Sequence, residues 1–375
     1  VGLNLVFLGE RAGGAGRYAS ELAPALLAAE PDTQVHVFVS RDAPASLREA
    51  DWAGHVEWVT LPVRLSGPPV HVLAQFAGLP LIARSRGLDV LHSPANTGPA
   101  IMPGLASVIS LLDLIWLHHG QEWESSAQVQ QRMGMMVRHC LRHVDRVFAI
   151  SQAAAEDFVE TLGVPRERID VTPLGVRPPT AVATPERDLR ERLDLGDSRV
   201  LLCVAQKRPY KNLKALVLAL PELPRDVTLV LPGSSTDYER DLRAQASRLG
   251  VGERVRFPDW LSDEDLEGVY ALAEAFVLPS LIEGFGIPVL EAMIRGVPVA
   301  CANVAALPEV AGDAALLFDP RDQAQITHAV RRLLEDRALA SRLIGRGHER
   351  AREFNWRRTG VTSLEGYRRA ISLRR

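Results

Sequence analysis

Lysine is nearly absent from this chain. Of its 375 residues, only Lys207, Lys211 and Lys214 are lysines, against 40 arginines. An arginine-biased genome accounts for the scarcity. It does not account for all three falling within one short stretch. That clustering marks a place where a compact ammonium is wanted rather than a planar guanidinium fork. Lys214, just after Leu213, also reads as a solvated helix residue. Cysteine is scarce as well. Cys140, Cys203 and Cys301 are scattered with no metal-ligand spacing, so they read as small core residues in a reducing cytoplasm. No apolar run approaches the roughly 18 residues that span a bilayer. The longest, at 108–117, is short and contains Asp113. No secretory leader is expected, and the start on Val1 rather than Met leaves a removed leader open. Excess positive charge is missing too. A net charge of -3 argues against a nucleic-acid partner.

What is present is the profile of a globular enzyme: 47% apolar and 24% charged residues. The length predicts two domains. In the first half, LNLVFL (3–8), VHVFV (35–39), DVLH (89–92), SVISLL (107–112) and RVFAI (146–150) read as strands, with helix-length apolar periodicity between them. Such alternation predicts a mostly parallel sheet covered on both faces. The stretch PPTAVATPE (178–186) reads as a linker. The pattern then restarts with VLLCVA (200–205), VTLVLPG (227–233), RVRF (254–257), AFVLPS (275–280) and PVACA (298–302). Two doubly wound α/β domains are therefore expected, over 1–178 and 179–355. An arginine-rich helical end, 356–375, either crosses back to the first domain or stays solvated.

Three segments carry chemistry. The first is Gly13-Gly14-Ala15-Gly16-Arg17-Tyr18, read as a glycine loop opening the first helix. There a backbone admits a close ligand and a helix N-terminus attracts an anion. A tight turn is the plainer reading. The second is Lys207-Arg208-Pro209-Tyr210-Lys211-Asn212, after the first strand of the second domain. Ligands bind at strand C-termini in open α/β sheets, and two or three cations there would neutralise a diphosphate. Asn212 is placed to cap the next helix. The third is PSLIEGFGIPVLEAMIRGVPV (279–299). A loop carries Glu283, Gly284, Phe285 and Gly286, Pro288 opens a helix, Gly296 closes it, and Glu291 lies on it. Backbone N–H groups suit an anion there and the carboxylates suit sugar hydroxyls.

These segments, with ANVAALPEVAGDAALLFDP after them, give the chain its resemblance to glycosyltransferase family 4. That family comprises retaining, sugar-nucleotide-dependent transferases of GT-B fold, two Rossmann-like domains facing across a cleft. The resemblance covers nearly the whole chain. Its nearest branch resembles the bacterial mannosyl- and rhamnosyltransferases that build surface polysaccharides. It implies that Glu283 approaches the donor sugar. It places backbone groups of Gly284, Phe285, Gly286 and Ile287 against sugar and phosphate, and Glu291 on the ribose hydroxyls. Arg208 and Lys211, with Lys207 as a further option, would neutralise the diphosphate. Gly14 and Gly16 would line the cleft from the other domain, and Trp260 would lie by the nucleobase. The implied co-substrate is a GDP- or UDP-linked sugar, with dTDP-linked sugar a further option. No tightly bound cofactor is implied, and no DxD-like motif is placed to hold a metal. The acceptor would be a glycan, a lipid-linked chain or a small molecule, and a lipid-linked one would put the protein at the inner membrane face. The arginines at 357–358, 368–369 and 374–375 would suit such a surface, or serve as ordinary helix charge.

Two departures from the family pattern matter. Where the family has His-Asp-Leu, this chain has Leu112-Asp113-Leu114. Asp113 remains, and His118 or His119 stands close enough in sequence to substitute, against a plain reading as loop histidines. The step before the cationic loop reads Ala205-Gln206. Two rival readings stay open. One is an NAD-dependent oxidoreductase using Gly14, Gly16 and Asp42. The other is a non-catalytic subunit that binds nucleotide sugars.

Overall fold

The computed structural model describes residues 1–9, 13–64, 74–99, 101–120 and 127–374. The loops 62–75 and 118–131 fall partly outside these residues, and Arg375 falls outside them. The chain forms two compact units: Val1–Gly175 with Trp356–Arg375, and Val176–Asn355.

The first unit holds a seven-stranded sheet in the order β3-β2-β1-β4-β5-β6-β7. Its strands are β1 (Gly2–Asn4), β2 (His36–Val39), β3 (Glu57–Thr60), β4 (Val90–Ser93), β5 (Ala106–Leu111), β6 (Arg146–Ala149) and β7 (Ile169–Val171). The second unit holds six strands in the order β10-β9-β8-β11-β12-β13. These are β8 (Arg199–Leu202), β9 (Val227–Val230), β10 (Val255–Arg256), β11 (Ala273–Leu278), β12 (Val299–Ala302) and β13 (Ala315–Phe318). Every pairing is parallel. Parallel sheets are covered on both faces, so their central strands read as unbroken apolar runs.

Three strands were not expected from the sequence: β3 (EWVT), β7 (IDV) and β13 (ALLF). All three are sheet edges. Glu57 and Thr60 in β3 and Asp170 in β7 interrupt the apolar run, as edge positions permit, whereas β13 is apolar throughout. The first strand was expected over 3–8 but ends at Asn4. Leu5, Val6 and Leu8 are buried in a turn closed by Leu8 N–H donating to the Leu5 carbonyl at 3.0 Å. Apolar character there reports burial, not strand. The glycine segment is likewise no loop over its described length. The helix Gly13–Ala29 takes in Gly14 and Gly16, and Gly16 is buried.

The C-terminal helix, Trp356–Ser372, lies against the first helix. Gly360 makes that approach possible, because a Cβ there would sit 2.0 Å from the Ala25 carbonyl oxygen. The arginines considered for a membrane surface are partly committed inside this unit. Arg368 pairs with Glu30, Arg369 donates to Asp170 at 3.0 Å, and Arg374 donates to Asp145 at 2.9 Å. Among the described residues no helix is long and apolar enough to cross a membrane.

A buried polar chain fastens this helix to the sheet. Tyr18 and Ser110 hydroxyls lie 2.7 Å apart, His92 Nε2 is 2.7 Å from Ser110 Oγ, and His92 Nδ1 is 2.7 Å from the Tyr367 hydroxyl. Burial pushes the His92 pKa down from 6.5 to about 3. The unfolded chain therefore takes up a proton near pH 6.5 that the native state refuses. Stability is fully present above that pH and is lost as pH falls toward 3, by on the order of 4 kcal/mol. Substituting His92→Gln removes the titration and keeps polar atoms at the site. Urea denaturation at about pH 7 and about pH 4 should show a smaller stability loss in the variant than in the parent. Equal losses would refute the assignment. Gly360→Ala should cost about 1–3 kcal/mol by overpacking, read as a lower melting temperature, and no cost would mean the helices separate freely.

Candidate active site

The second sheet reverses its order between β8 and β11. In open α/β sheets the crevice at such a point, beyond the strand C-termini, is where ligands bind. The cationic segment leaves β8 and the Glu283 segment leaves β11, so both arise at this reversal. Leu281 N–H donates to the Tyr210 carbonyl at 2.8 Å and ties the two loops together.

Lys211 and Glu283 meet there as a buried ion pair. Lys211 Nζ donates to Glu283 Oε1 at 2.8 Å and Oε2 at 2.6 Å. Glu283 is 7% exposed. Burial pulls the Lys211 pKa down, but the carboxylate beside it more than compensates and the net movement is upward. Lys211 ends a short 3-10 turn, Pro209–Lys211, followed by Asn212 in the left-handed region at φ 54°. Asn212 stands at the start of the helix Leu213–Ala219 but does not cap it. Its side chain instead donates to the Pro320 carbonyl at 2.8 Å. Arg208 is half-buried at the start of the same turn.

Lys207 is not available to a diphosphate. Its side chain is fully buried, and its ammonium donates to the Gly233 carbonyl and, at 2.8 Å, to the Pro258 carbonyl. Glu239 lies 3.4 Å away. Burial lowers the Lys207 pKa, with Glu239 opposing. Lys207 therefore braces the loop after β10, which carries Trp260. The Trp260 side chain is 69% exposed. Lys214 points into solvent.

Beyond Glu283 the loop turns into the helix Ile287–Ile294. Gly286 makes the turn at φ 98°, and a Cβ there would lie 2.5 Å from Leu307 Cδ2, so only glycine fits. Phe285 is buried with its ring edge-on to Phe354. The first turn of this helix directs backbone donors outward. Gly284 sits half-buried between them. Glu291 is 7% exposed, and its Oε2 accepts from the Tyr270 hydroxyl at 3.2 Å. Glu283 thus meets the Lys211 ammonium, while Glu291 accepts from the Tyr270 phenol and also lies within the field of Arg295. Sequence reading missed Tyr270, which sits in an ordinary helical pattern.

The remaining expected residues belong to the first unit. Gly14 is exposed in the first helix, and the Gly16 carbonyl accepts from Ser20 at 2.8 Å. Asp113 follows β5 and accepts from Ile115 N–H at 3.1 Å, opening the short helix Ile115–His118. Leu112 donates its N–H to Asn96 at 3.1 Å. His118 Nε2 lies 2.9 and 3.0 Å from the two Asp157 oxygens, and Asp157 also accepts from Thr161 at 2.6 Å. His118 is therefore turned onto the helix Gln152–Leu162, which fits the plain reading of a loop histidine.

Residues 12–178 match the family model described as Glycosyltransferase Family 4, and residues 186–350 match Glycosyl transferases group 1. The chain is 32% identical over 228 residues to the O-antigen chain mannosyltransferase B of Escherichia coli, covering 59% of this chain and 60% of that protein. It is 31% identical over 258 residues to the MMP alpha-(1->4)-mannosyltransferase of Mycolicibacterium hassiacum, covering 67% and 59%. Its match to the serotype-specific mannosyltransferase WbdA of Escherichia coli spans only 29% of that protein. The chain thus spans less than two thirds of these relatives' length. Sucrose-phosphate synthase from Thermosynechococcus elongatus superposes with a TM-score of 0.77 over 99% of both chains, at 22% identity. Anabaena HepE in complex with UDP and glucose superposes with a TM-score of 0.73 over 97% of this chain and 98% of its own, at 21% identity. At such identities the likeness speaks for the fold alone, two parallel α/β sheets of the GT-B kind. With the two family models matching most of both units, this chain belongs to glycosyltransferase family 4.

Proposed function

We propose that the chain is a retaining hexosyltransferase. It moves a mannose-like sugar from a nucleoside diphosphate donor to a hydroxyl of a glycan or lipid-linked acceptor. The buried Lys211–Glu283 pair at the reversal of the second sheet carries this reading. Lys211 has three N–H donors and spends two on Glu283, so one remains to face an arriving phosphate. Arg208 and the first turn of the 287–294 helix supply further positive potential. Charge grows on the diphosphate as the glycosidic bond breaks, and fixed positive groups aimed there lower the barrier. The phosphate then accepts the proton of the incoming hydroxyl on the same face, which retains configuration. Glu283 orients the sugar hydroxyls, Glu291 takes the ribose, and the loop braced by Lys207 runs along the base near Trp260. The glycosidase scheme of two opposed carboxylates does not apply on this reading, because Glu291 is given to the ribose.

The relatives suggest which donor to test first. The GDP-mannose-dependent alpha-(1-6)-phosphatidylinositol monomannoside mannosyltransferase of Mycolicibacterium smegmatis is 33% identical over 250 residues. GDP-mannose is accordingly the first donor to test, with UDP-glucose and dTDP-rhamnose as comparisons. A lipid-linked acceptor would bring the enzyme to the inner membrane face.

Ligand binding raises the apparent melting temperature by mass action. GDP-mannose should raise it, and NADH should not. A rise with NADH alone would point to the oxidoreductase reading instead. With the preferred donor, Glu283→Gln should lower the rate of transfer or donor hydrolysis by about 100-fold through misplacement of the sugar. Glu291→Gln should raise donor KM about tenfold, one hydrogen bond to charge, and leave kcat near the parent value. Near-parental kinetics in both variants would overturn the assignment. No turnover by the parent, with donor binding intact, would favour the non-catalytic subunit.

A further inference from the structure

Tyr270 lies on the helix Asp263–Leu272 and is 1% exposed. Two groups pack against its ring. The Arg295 guanidinium sits 4.9 Å from the ring centroid, and the Phe276 ring stacks at 6.1 Å. Arg295 is itself clamped by Glu267, one turn before Tyr270, through Nε at 2.7 Å and a second bond from Nη2. Arg295 also donates to the Glu291 backbone carbonyl at 3.0 Å. The phenol therefore has one fixed position, and from it the hydroxyl donates to Glu291 Oε2 at 3.2 Å. A buried tyrosine hydroxyl needs a partner. Here that partner is a carboxylate that the fold has placed at the β8–β11 reversal.

We propose that Tyr270 is a positioning residue for Glu291, and that it sets a preference for ribonucleoside over 2′-deoxyribonucleoside diphosphates. The inference rests on the reading of Glu291 as the ribose group. Each carboxylate oxygen offers two lone pairs. Tyr270 occupies one on Oε2, which restrains rotation of the group. A ribose diol needs one acceptor on each oxygen at a set spacing, so it binds in only one orientation of the carboxylate. A 2′-deoxyribose presents a single hydroxyl and can follow a carboxylate that rotates. Removing the phenol hydroxyl therefore penalises the diol more than the single hydroxyl.

The test is Tyr270→Phe in the full chain, which keeps the ring and its packing. Calorimetry would measure binding of GDP, 2′-deoxy-GDP, UDP and 2′-deoxy-UDP, alongside donor kinetics and melting temperature. For the base that binds, the ribonucleotide Kd and donor KM should rise about 5- to 10-fold, the size of one ordinary hydrogen bond. The deoxynucleotide Kd should move by less than about twofold, with kcat and melting temperature nearly unchanged. An unchanged ribonucleotide Kd, equal losses for both sugars, or a joint fall in kcat and melting temperature would overturn the proposal. Glu291→Gln in parallel separates the two levels. If it leaves ribonucleotide affinity intact, the ribose reading itself fails. If it weakens affinity while Tyr270→Phe does not, only the positioning role fails.

Discussion

The second unit is organised around one buried ion pair. Lys211 comes from the loop after β8 and Glu283 from the loop after β11, and their charged atoms meet at 2.6 Å with little solvent. Desolvating two charges is expensive, and apolar replacements of equal volume are often as stable. Stability alone therefore does not explain the pair. Position does. It stands where the strand order reverses, with the Cys203 thiol close enough that its pKa feels both charges, although burial is what pushes that pKa up to about 12. In the proposed function a ligand with negative phosphate and neutral hydroxyls would meet both halves of the pair at once, phosphate toward the ammonium and hydroxyls toward the carboxylate. The ion pair ties the two loops together.

The same constraint explains the lysines. Guanidinium is planar and presents a fork of donors. Arg146 uses that fork on Asp170, with Nε on one carboxylate oxygen and Nη2 on the other. Lys207 and Lys211 sit where acceptors converge on a point: two carbonyls for one, two oxygens of a single carboxylate for the other. The clustering was legible in the sequence as a demand for ammonium. Its division was not. Lys207 and Lys211 are four residues apart in one loop, yet one turns inward as a brace and the other faces the site. Only the path of the 3-10 turn at Pro209–Lys211 separates them.

Legibility elsewhere followed burial. Strands with neighbours on both sides, such as β5 and β11, are buried over most of their length and could be read directly. Edge strands β3 and β7 could not, because Glu57, Thr60 and Asp170 break their apolar character, and β13, though apolar, was not read either. The run at 3–8 misled for the converse reason, since a buried turn is as apolar as a buried strand. Strand order left no trace in the sequence. The Glu283 segment was recognisable by its motif, but its pairing with the β8 loop depends on β8 and β11 being neighbours although three strand positions apart in the chain. Tyr270 was invisible for a related reason. It lies 21 residues before Glu291 on another helix, and only the fold brings the phenol to the acid.

That contrast bears on why the two glutamates cannot exchange roles. Glu283 faces a mobile type of charge, an ammonium on a flexible stem that can share itself with an arriving phosphate. In the proposed function its environment would change when the diphosphate enters, as suits a group beside the bond being broken. Glu291 accepts from a neutral phenol held by stacking and by the Arg295–Glu267 clamp, within the field of Arg295. An arriving anion competes less for a phenol than for a cation, since charge-assisted bonds are about twice as strong as neutral ones. On that reading its carboxylate would keep one geometry through binding and reaction. A group that must hold a fixed part of the donor benefits from such constancy, while a group that must respond to charge separation does not. The division of labour lies in the partners each carboxylate is given, not in the carboxylates themselves.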